Sequence, residues 1–375
     1  MNKDIKVLSL VSYHFLPPKM GGQKGIAFFN EYLSNYLDLI CVSVKQNDAA
    51  VAKYPVKAIL KNNRLRYINP FYFFTLKRII NKEQVTHLII EHPYYGWLGM
   101  LLKWFCKVKL VVHSHNIEAN RFKSVGKWWW GILWHYERFT HRRANLSFFI
   151  QEDDRDFAIR HFRLDPLKCM VVTYGFEMDS PPSQEERLTA KKNICATWNI
   201  DPAATILLFN GTLDYKPNRE ALDIILDKIN PALMKRSEFN YKIIICGSKL
   251  PSNYNNLASQ ADKNIIYAGF VNDIGLYFKG ADSFINPVIE GGGIKTKVVE
   301  ALGNGLSVVS SASGAIGIPA NITANKLFIA ADNDIDSLVT AITTMDTNTS
   351  IPASFFDHFY WGRIAEKAAA ALKDL

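Results

Sequence analysis

The sequence predicts an α/β protein with two doubly wound domains, and three observations support this class. Short runs that are apolar throughout alternate with longer helical patterns, as buried parallel strands alternate with helices. The alternation restarts after a polar stretch at 178–193, which is typical of an interdomain linker. The length of 375 residues is too great for one ordinary core and suits two. We therefore expect a first domain over 1–180, a second over 181–352 and a final helix over 353–375.

Eleven strands are predicted from the apolar runs. Those of the first domain are 5–13, 38–44, 86–92, 109–116, 146–151 and 169–175. Those of the second domain are 205–212, 241–248, 264–270, 282–288 and 306–311. The last segment, "SFFDHFYWGRIAEKAAAALKDL", has the pattern of an amphipathic helix. It either completes the second domain or crosses back to pack on the first.

Composition excludes several classes of protein. No apolar run reaches the ~18–20 residues of a membrane span, and the start of the chain lacks the apolar core of a signal peptide. The five cysteines, at 41, 106, 169, 195 and 246, are scattered and have no metal-ligand spacing. We interpret them as free thiols in a reducing cytoplasm. Residues 1–180 carry a net charge of +11 and the remainder −2, which indicates an anionic partner for the first half.

The segment "EGGGIKTKVVEALGNG", at 290–305, carries the strongest chemical signal. It follows a predicted strand and begins a helix, so it lies at the carboxyl edge of a parallel sheet, where ligands bind. Glycines allow backbone N–H groups to approach an anion, and the helix dipole favours negative charge. Lys295 and Lys297 add positive charge, so the glycines, the helix start and the lysines together would match a diphosphate. Glu300 could accept hydrogen bonds from a ribose diol. The alternative is a tight turn followed by a solvated helix.

These residues resemble the donor-site signature of glycosyltransferase family 4, retaining enzymes of the GT-B fold with two Rossmann-like domains facing a cleft. The second glutamate of the family's E-x7-E motif maps onto Glu300, and 169–177, 209–222 and 267–287 also match the family pattern. The resemblance implies that the second domain binds a nucleoside-diphosphate sugar and the first an acceptor, with no metal or other cofactor. The donor-binding residues that it implies are Gly21, Gly22, Gly211, Thr212, Gly269, Phe270, Val271, Gly291, Gly292, Gly293, Ile294, Lys295, Thr296, Lys297 and Glu300.

Two departures from the family pattern concern charge. The first glutamate of the motif falls on Gly292, and Glu290 lies two residues too early. The family's arginine after the first donor-domain strand reads Thr212, and its lysine falls on or beside Pro217. Lys295 and Lys297 would supply the missing positive charge from the neighbouring turn.

In the first domain, polar residues end the strands predicted over 86–92 and 109–116. His115 aligns with the family histidine that faces the reacting sugar, and Glu118 is near enough to orient it or to meet an acceptor hydroxyl. Glu91, His92 and Tyr94 would line the same site. A structural histidine is the alternative for His115, and a metal site lacks third and fourth ligands at zinc-like spacing. Gly21 and Gly22 open the helix after the first strand, in a loop that approaches the donor phosphate in the resembling family.

The segment 125–143, "VGKWWWGILWHYERFTHRR", places four tryptophans beside basic residues. It is either an interfacial helix that meets an anionic membrane or a helix whose aromatic side chains are buried between domains. Contact with the inner face of the cytoplasmic membrane would suit a lipid-linked acceptor.

The predicted function is a retaining, hexosyltransferase-like glycosyltransferase of cell-surface glycan or polysaccharide biosynthesis. The alternatives are a non-catalytic nucleotide-sugar or glycan-binding GT-B protein and a nucleotide-sugar 2-epimerase. A nucleic-acid binder is disfavoured because no basic strand platform with aromatic residues is apparent. A nicotinamide dehydrogenase is disfavoured because no G-x-G-x-x-G follows the first strand.

Overall fold

The computed structural model describes residues 5–291, 293–347 and 349–375. They form two compact units, one of Met1–Glu177 with His358–Leu375 and the other of Met178–Asp357, which we call unit 1 and unit 2. Each unit is a parallel sheet covered by helices, so the predicted α/β class is confirmed. Among the described residues, no helix is long and apolar enough to cross a membrane.

Unit 1 contains a seven-stranded parallel sheet in the order β3-β2-β1-β4-β5-β6-β7. Its strands are β1 Lys6–Leu10, β2 Asp38–Val44, β3 Val56–Leu60, β4 His87–Glu91, β5 Lys109–Ser114, β6 Leu146–Phe149 and β7 Cys169–Val171. The helices between them are α1 Gly21–Leu33, α2 Phe71–Glu83, α3 Gly96–Cys106, α4 Glu118–Ser124, α5 Trp130–Arg143 and α6 Glu152–Phe157, with a 3₁₀ helix at Arg64–Ile68. Strand order reverses between β1 and β4, which makes the carboxyl ends of these strands the expected ligand position.

Unit 2 contains a six-stranded parallel sheet in the order β10-β9-β8-β11-β12-β13. Its strands are β8 Thr205–Asn210, β9 Tyr241–Cys246, β10 Ile265–Gly269, β11 Ser283–Asn286, β12 Ser307–Ser311 and β13 Leu327–Ala330. Its helices are α7 Gln184–Trp198, α8 Lys216–Ile224, α9 Asn230–Met234, α10 Ile274–Gly280, α11 Thr296–Gly303 and α12 Ile335–Thr344. A π-helical turn at Ile225–Ile229 joins α8 to α9. Strand order reverses between β8 and β11.

The end of the chain forms two helices, α13 Ala353–Phe359 and α14 Trp361–Lys373, rather than the single helix that the pattern predicts. The break lies at Tyr360, where the backbone adopts extended geometry and forms a bridge with Phe176. The Trp361 N–H donates to the Phe176 carbonyl at 3.0 Å, which ties the last helix to unit 1. Tyr36, just beyond α1, donates through its hydroxyl to the Gly362 carbonyl at 3.3 Å, so α14 packs beside α1.

The linker interpretation of 178–193 is wrong from Gln184 onward, because α7 begins there. Ser183 accepts from the Glu186 N–H at 3.2 Å, and the Glu186 carboxylate accepts from the Ser183 N–H at 2.8 Å. This reciprocal capping box starts a helix within a polar sequence. Arg187 then donates to carbonyl groups of unit 2, including Gly305 O at 3.0 Å, which fixes α7 to that unit.

Candidate active site

In unit 2, the loop after β8 and the loop after β11 lie together at the switch point of the sheet. Gly211 follows β8, and a Cβ added there would lie 2.6 Å from Asn218 Nδ2, so only glycine fits without displacement. Asn218, in the first turn of α8, donates to the Thr212 carbonyl at 3.1 Å and holds this loop closed. The predicted pair Gly211 and Thr212 therefore lies at the expected edge of the sheet.

The glycine–lysine segment forms the predicted strand-to-helix turn. Gly291 and Gly293 have φ values of +93° and +73°, the left-handed region that favours glycine. Gly292 lies outside the described residues. Half-buried Ile294 leads into α11, which starts at Thr296 after Lys295. The first N–H groups of this helix have no acceptor within the helix.

Lys295 donates to oxygen atoms of its own turn, and Lys297 donates to oxygen atoms at the end of β8 and in α8. Lys295 Nζ donates to the carbonyls of Gly291 and Gly293 at 2.5 and 3.1 Å. Lys297 Nζ donates to Asn210 O at 3.3 Å and to Asn218 Oδ1 at 3.1 Å, and lies 4.6 Å from the centre of the Phe209 ring. Burial, together with the neighbouring Lys295, lowers the pKa of Lys297 to about 7. Lys297 thus brings a cation to the loop after β8, where the family arginine is replaced by Thr212.

Glu290 and Glu300, the two acidic residues of the segment, have different positions. The Glu290 carboxylate accepts from Lys216 Nζ at 2.8 Å, which ties the glycine segment to the start of α8. Lys216 also lies 3.4 Å from Glu220, and hydrogen bonding to Glu290 raises the pKa of Lys216. Glu300 lies four residues into α11 and is half-buried. The Lys216–Glu290 pair is missed by sequence reasoning, although Lys216 stands directly beside Pro217, where the family lysine falls.

The predicted residue Gly269 ends the edge strand β10 of the same sheet, and the predicted Phe270 and Val271 follow it. Gly269 has a φ of +65°, and its carbonyl accepts from the Gly247 N–H at 2.7 Å. The Phe270 ring that follows is 74% exposed, and Val271 is half-buried. An exposed aromatic ring at a ligand-binding edge offers a flat surface to a heterocyclic base.

In unit 1, Glu91 joins two histidines at the carboxyl ends of β4 and β5. Glu91 and His113 are partners in the register of these strands. Glu91 Oε2 lies 3.0 Å from His113 Nδ1 and 2.8 Å from His115 Nε2. Burial alone would raise the pKa of Glu91, but its interactions with His113 and His115 lower it well below its ordinary value. An ionised Glu91 can only accept, so Nε2 of His115 carries the hydrogen and Nδ1 is its basic atom.

A second histidine–glutamate pair lies beside the first. His92 Nδ1 lies 3.1 Å from Glu118 Oε1, and the rings of His92 and His115 stack with centres 4.5 Å apart. The Tyr94 hydroxyl donates to Glu118 Oε2 at 2.6 Å. Burial alone would raise the pKa of Glu118, but interactions with His92 and other neighbours lower it to about 2. Burial and the neighbouring His92 lower the pKa of His115 to about 4, so its ring is neutral near pH 7.

His92, Tyr94 and His115 border a pocket of about 660 Å³ within unit 1, whereas Glu91, His113 and the predicted Glu118 are buried and do not line it. The pocket brings together most of the residues predicted for the first domain and adds others that were not predicted. Its lining includes Gly22, Tyr13, Tyr67, His92, Tyr94, His115, Asn116 and Arg121. Gly21 is the first residue of α1, and Gln23 closes the preceding loop by accepting from the Lys19 N–H at 2.8 Å. Tyr13, whose hydroxyl lies 3.2 Å from His92 Nε2, is missed although it follows β1 at the same edge.

Buried Glu137 fixes the start of α4 beside this pocket. Its carboxylate oxygens accept from the N–H groups of Glu118 and Ala119, both at 3.0 Å, and so cap α4. Burial raises the pKa of Glu137 to about 8. The cap fixes the backbone from which Glu118 reaches His92 and Tyr94. Sequence offers no signal for it, since Glu137 lies within the aromatic and basic pattern of α5.

Among the described residues, Glu91, His113 and His115 are the one group that could hold a metal ion. Their ligand atoms lie within 4.8 Å of one another. The separations of 2.8 and 3.0 Å are those of hydrogen bonds between the side chains themselves. Spacing along the sequence offers no third ligand in this segment, and Glu91 is the member that the register of β4 and β5 adds.

Comparisons with known proteins identify the family. A model described as "Glycosyltransferase Family 4" matches residues 34–180, and one described as "Glycosyl transferases group 1" matches residues 204–348. The chain belongs to the family 4 glycosyltransferases. It is therefore a transferase, as the resemblance of the glycine–lysine segment implies. A comparison with curated protein sequences finds no match.

Solved structures of glycosyltransferases share the whole fold. A glycosyltransferase from Rickettsia africae ESF-5 is 17% identical, with 99% of this chain and 98% of that chain covered and a TM-score of 0.73. Anabaena Alr3699/HepE in complex with UDP is 14% identical, with coverage of 99% and 100% and a TM-score of 0.72. WaaG, a glycosyltransferase involved in lipopolysaccharide biosynthesis, is 12% identical, with coverage of 98% and 95% and a TM-score of 0.61. The expected GT-B fold is confirmed.

Proposed function

We propose that this glycosyltransferase moves a sugar from a nucleoside-diphosphate sugar, bound by unit 2, to a hydroxyl of a glycan or lipid-linked acceptor, bound by unit 1. The transfer retains the configuration of the anomeric carbon and serves cell-surface glycan or polysaccharide biosynthesis. The observation that carries the donor assignment is the pair Lys295 and Lys297, whose ammonium groups meet carbonyl oxygens at the edge of a parallel sheet. HepE, which shares the fold, has been solved with UDP and with UDP-glucose.

The chemistry of the leaving group follows from this charge. As the sugar departs, the diphosphate gains negative charge, which Lys295, Lys297 and the first N–H groups of α11 stabilise without a metal ion. Glu300 accepts from the ribose hydroxyls, and the exposed Phe270 ring stacks on the base. Neutral His115, which lines the pocket, contacts the sugar, and buried, ionised Glu118 positions His92 and Tyr94 at the same pocket. The acceptor proton leaves late, to the departing phosphate, so a strong base is not needed.

Calorimetric titration with UDP, GDP and ADP tests the donor site. We expect one nucleotide to bind the wild type and to bind Lys297→Ala and Glu300→Ala at least tenfold more weakly, since each loses a charge-assisted hydrogen bond worth about 1.5–3 kcal/mol. Lys228→Ala is the matched control, because Lys228 is an exposed lysine of unit 2 in the π-helical turn after α8. Equal affinities in all four proteins, or no binding at all, would overturn the donor assignment.

A non-catalytic binding protein is the second candidate, because Glu290 is held by Lys216 rather than standing at the first position of the family motif. Product analysis separates the two functions. Incubation with the nucleotide-sugar of the bound base should give hydrolysis or transfer, and the coupling constant of the anomeric proton should report retention. Binding without turnover would favour the non-catalytic function, and an inverted product would refute retention.

The segment 125–143 is proposed to contact the inner face of the cytoplasmic membrane. Trp128, in the turn before α5, is 84% exposed, and Ile132, in the first turn of α5, is also exposed. Trp129 and Trp134 pack against Phe122 and Phe162, with ring centres 4.5 and 5.5 Å apart, and are half-buried. The contact that this segment offers is therefore small, and a vesicle-binding assay with Trp128→Ser/Ile132→Ser measures it.

A further inference from the structure

Unit 1 carries an exposed apolar ridge on elements other than the tryptophan-rich segment. Leu65, Ile68, Phe71 and Phe74 follow one another at three-residue spacing, from the 3₁₀ helix Arg64–Ile68 into α2. All four are between 66% and 74% exposed. The opposite side of α2 buries Tyr72, Leu76 and Ile80 in the core, so the ridge is not required for packing within unit 1.

The ridge continues onto α3. The Phe73 ring lies 5.4 Å from the ring of Phe74 and 5.4 Å from that of Phe105, which joins the two helices. Trp104 and Phe105 are each 62% exposed. We call the six exposed side chains the apolar face, which consists of Leu65, Ile68, Phe71, Phe74, Trp104 and Phe105. Contiguous apolar surface of this kind on a folded protein marks a site of interaction with a membrane or a partner.

The segments that carry the apolar face are basic. Residues 61–83 contain six lysines and arginines and a single acidic residue, Glu83, and residues 96–109 contain three lysines and no acidic residue. Glu83 lies 3.3 Å from Lys57 and 3.6 Å from Lys6, so its charge is compensated by lysines of other elements. Lys77 Nζ lies 5.9 Å from the centre of the Phe73 ring and 5.7 Å from that of Phe105, which places a cation within the aromatic cluster.

The outward side of α2 shows how apolar and basic residues divide. Phe71, Phe74, Arg78 and Lys82 are all exposed and stand at i, i+3, i+7 and i+11, which is one side of a helix. Aromatic side chains occupy the first turns of this side, and cations occupy the last. An aromatic patch with a basic margin matches the boundary between lipid acyl chains and anionic headgroups.

We propose that the apolar face docks this protein on an anionic lipid surface. Its aromatic and aliphatic side chains enter the headgroup region, and Arg78, Lys82 and the neighbouring lysines pair with anionic headgroups. A second copy of the chain is a poorer occupant, because pairing the face with itself would oppose like charges. The docking does not depend on the identity of the donor or on turnover.

The position of the face gives docking a consequence for the acceptor, and this consequence rests on the proposed function. Tyr67 stands between Arg66 and Ile68 in the 3₁₀ helix, yet it lines the pocket of unit 1. Its ring centre lies 5.5 Å from that of Tyr94. The apolar face thus begins at the rim of the pocket, so a lipid-linked acceptor could reach the pocket while its lipid stays in the bilayer.

Co-sedimentation of the full chain with vesicles tests the proposal. The probes are vesicles of phosphatidylcholine alone and of phosphatidylcholine with about one third phosphatidylglycerol. We expect binding to the anionic vesicles only, weakened by added salt. Phe71→Ser/Phe74→Ser and Arg78→Glu/Lys82→Glu should each reduce the partition coefficient by at least about tenfold, since the first removes two apolar contacts with the headgroup region and the second reverses two charges that attract anionic lipid.

Two matched variants control for loss of exposed apolar or basic side chains in general. Leu167→Ser/Leu188→Ser removes exposed leucines outside the face, and Lys228→Glu/Lys235→Glu reverses exposed charges of unit 2. Both should bind vesicles like the wild type, and thermal unfolding should show that all four variants remain folded.

Three results would overturn the proposal. The first is wild-type binding that Phe71→Ser/Phe74→Ser leaves unchanged, and the second is no binding to anionic vesicles. The third is a wild-type dimer, seen by sedimentation velocity, that Phe71→Ser/Phe74→Ser dissociates, because the occupant would then be a second copy. In the first case, loss of binding in Trp128→Ser/Ile132→Ser would assign the contact to the tryptophan-rich segment.

Discussion

Donor affinity should fall as pH rises above neutrality, and Lys297 should be the cause. Burial and Lys295 hold the pKa of Lys297 at about 7 in the free protein. A bound diphosphate favours the ammonium form, so the pKa rises in the complex and binding above pH 7 takes up a proton. The cost is about 1.4 kcal/mol, or about tenfold in affinity, for each pH unit above the free pKa. We therefore expect about a tenfold loss of nucleotide affinity between pH 7.5 and 8.5.

The assay is calorimetric titration of the nucleotide that binds, from pH 7 to 9, in two buffers of different ionisation enthalpy. The comparison of buffers gives the number of protons taken up, which should approach one at pH 8. The terminal phosphate of the nucleotide titrates near pH 6, so it contributes little in this window. Lys297→Met should bind more weakly at pH 7 and show neither proton uptake nor pH dependence. A parallel fall of affinity in both proteins would refute the assignment of the titrating group to Lys297.

Three further predictions concern unit 1. Glu137→Ala should lower the free energy of unfolding by about 3 kcal/mol, measured by denaturant titration, because two buried N–H groups lose their acceptor. Gly96→Ala should lower the free energy of unfolding by about 1–3 kcal/mol, because the added Cβ would overlap the Thr140 side chain. Gly131→Ala is the matched control in α5, where the added Cβ meets open space, and it should raise the free energy of unfolding by up to about 1 kcal/mol. His115→Gln should reduce transfer at least about tenfold, because the contact of the imidazole with the reacting sugar is lost, while nucleotide affinity, measured by calorimetry, stays unchanged.

The sheets could be predicted from the sequence except for two of their four edge strands. All eleven predicted strands are present, because central parallel strands are apolar on both faces. The two strands that the pattern misses, β3 and β13, are edge strands. Ile59 in β3 and Phe328 and Ile329 in β13 are exposed, whereas all residues of the edge strands β7 and β10 are buried or half-buried.

The positions of candidate site residues could be predicted, but their partners could not. Carboxyl ends of parallel strands share one edge, which is why His92, His115 and Glu91 meet as the strand assignments imply. The pairing of Lys297 with Asn210 joins residues 87 positions apart, and it depends on the direction of one side chain after the Gly291–Gly293 turn. Nothing in local composition fixes that direction. For the same reason the cap that Glu137 provides for Glu118 emerges only from the packing of α5 against α4.

Gly291 and Gly293 acquire a physical role from the partners of the lysines. A lysine held by a carboxylate keeps its charge but is already neutralised, so an incoming diphosphate would have to displace an anion. Lys297 instead meets a backbone carbonyl and an amide oxygen, and among the described residues no carboxylate lies within ion-pair distance of it. Carbonyl dipoles compensate an ammonium only in part, which is why burial lowers its pKa and why a diphosphate would gain more from it. The positive φ angles of Gly291 and Gly293 turn the loop so that their carbonyls receive Lys295. The glycines therefore arrange positive charge that a bound anion can still neutralise, which a turn built only for packing would not require.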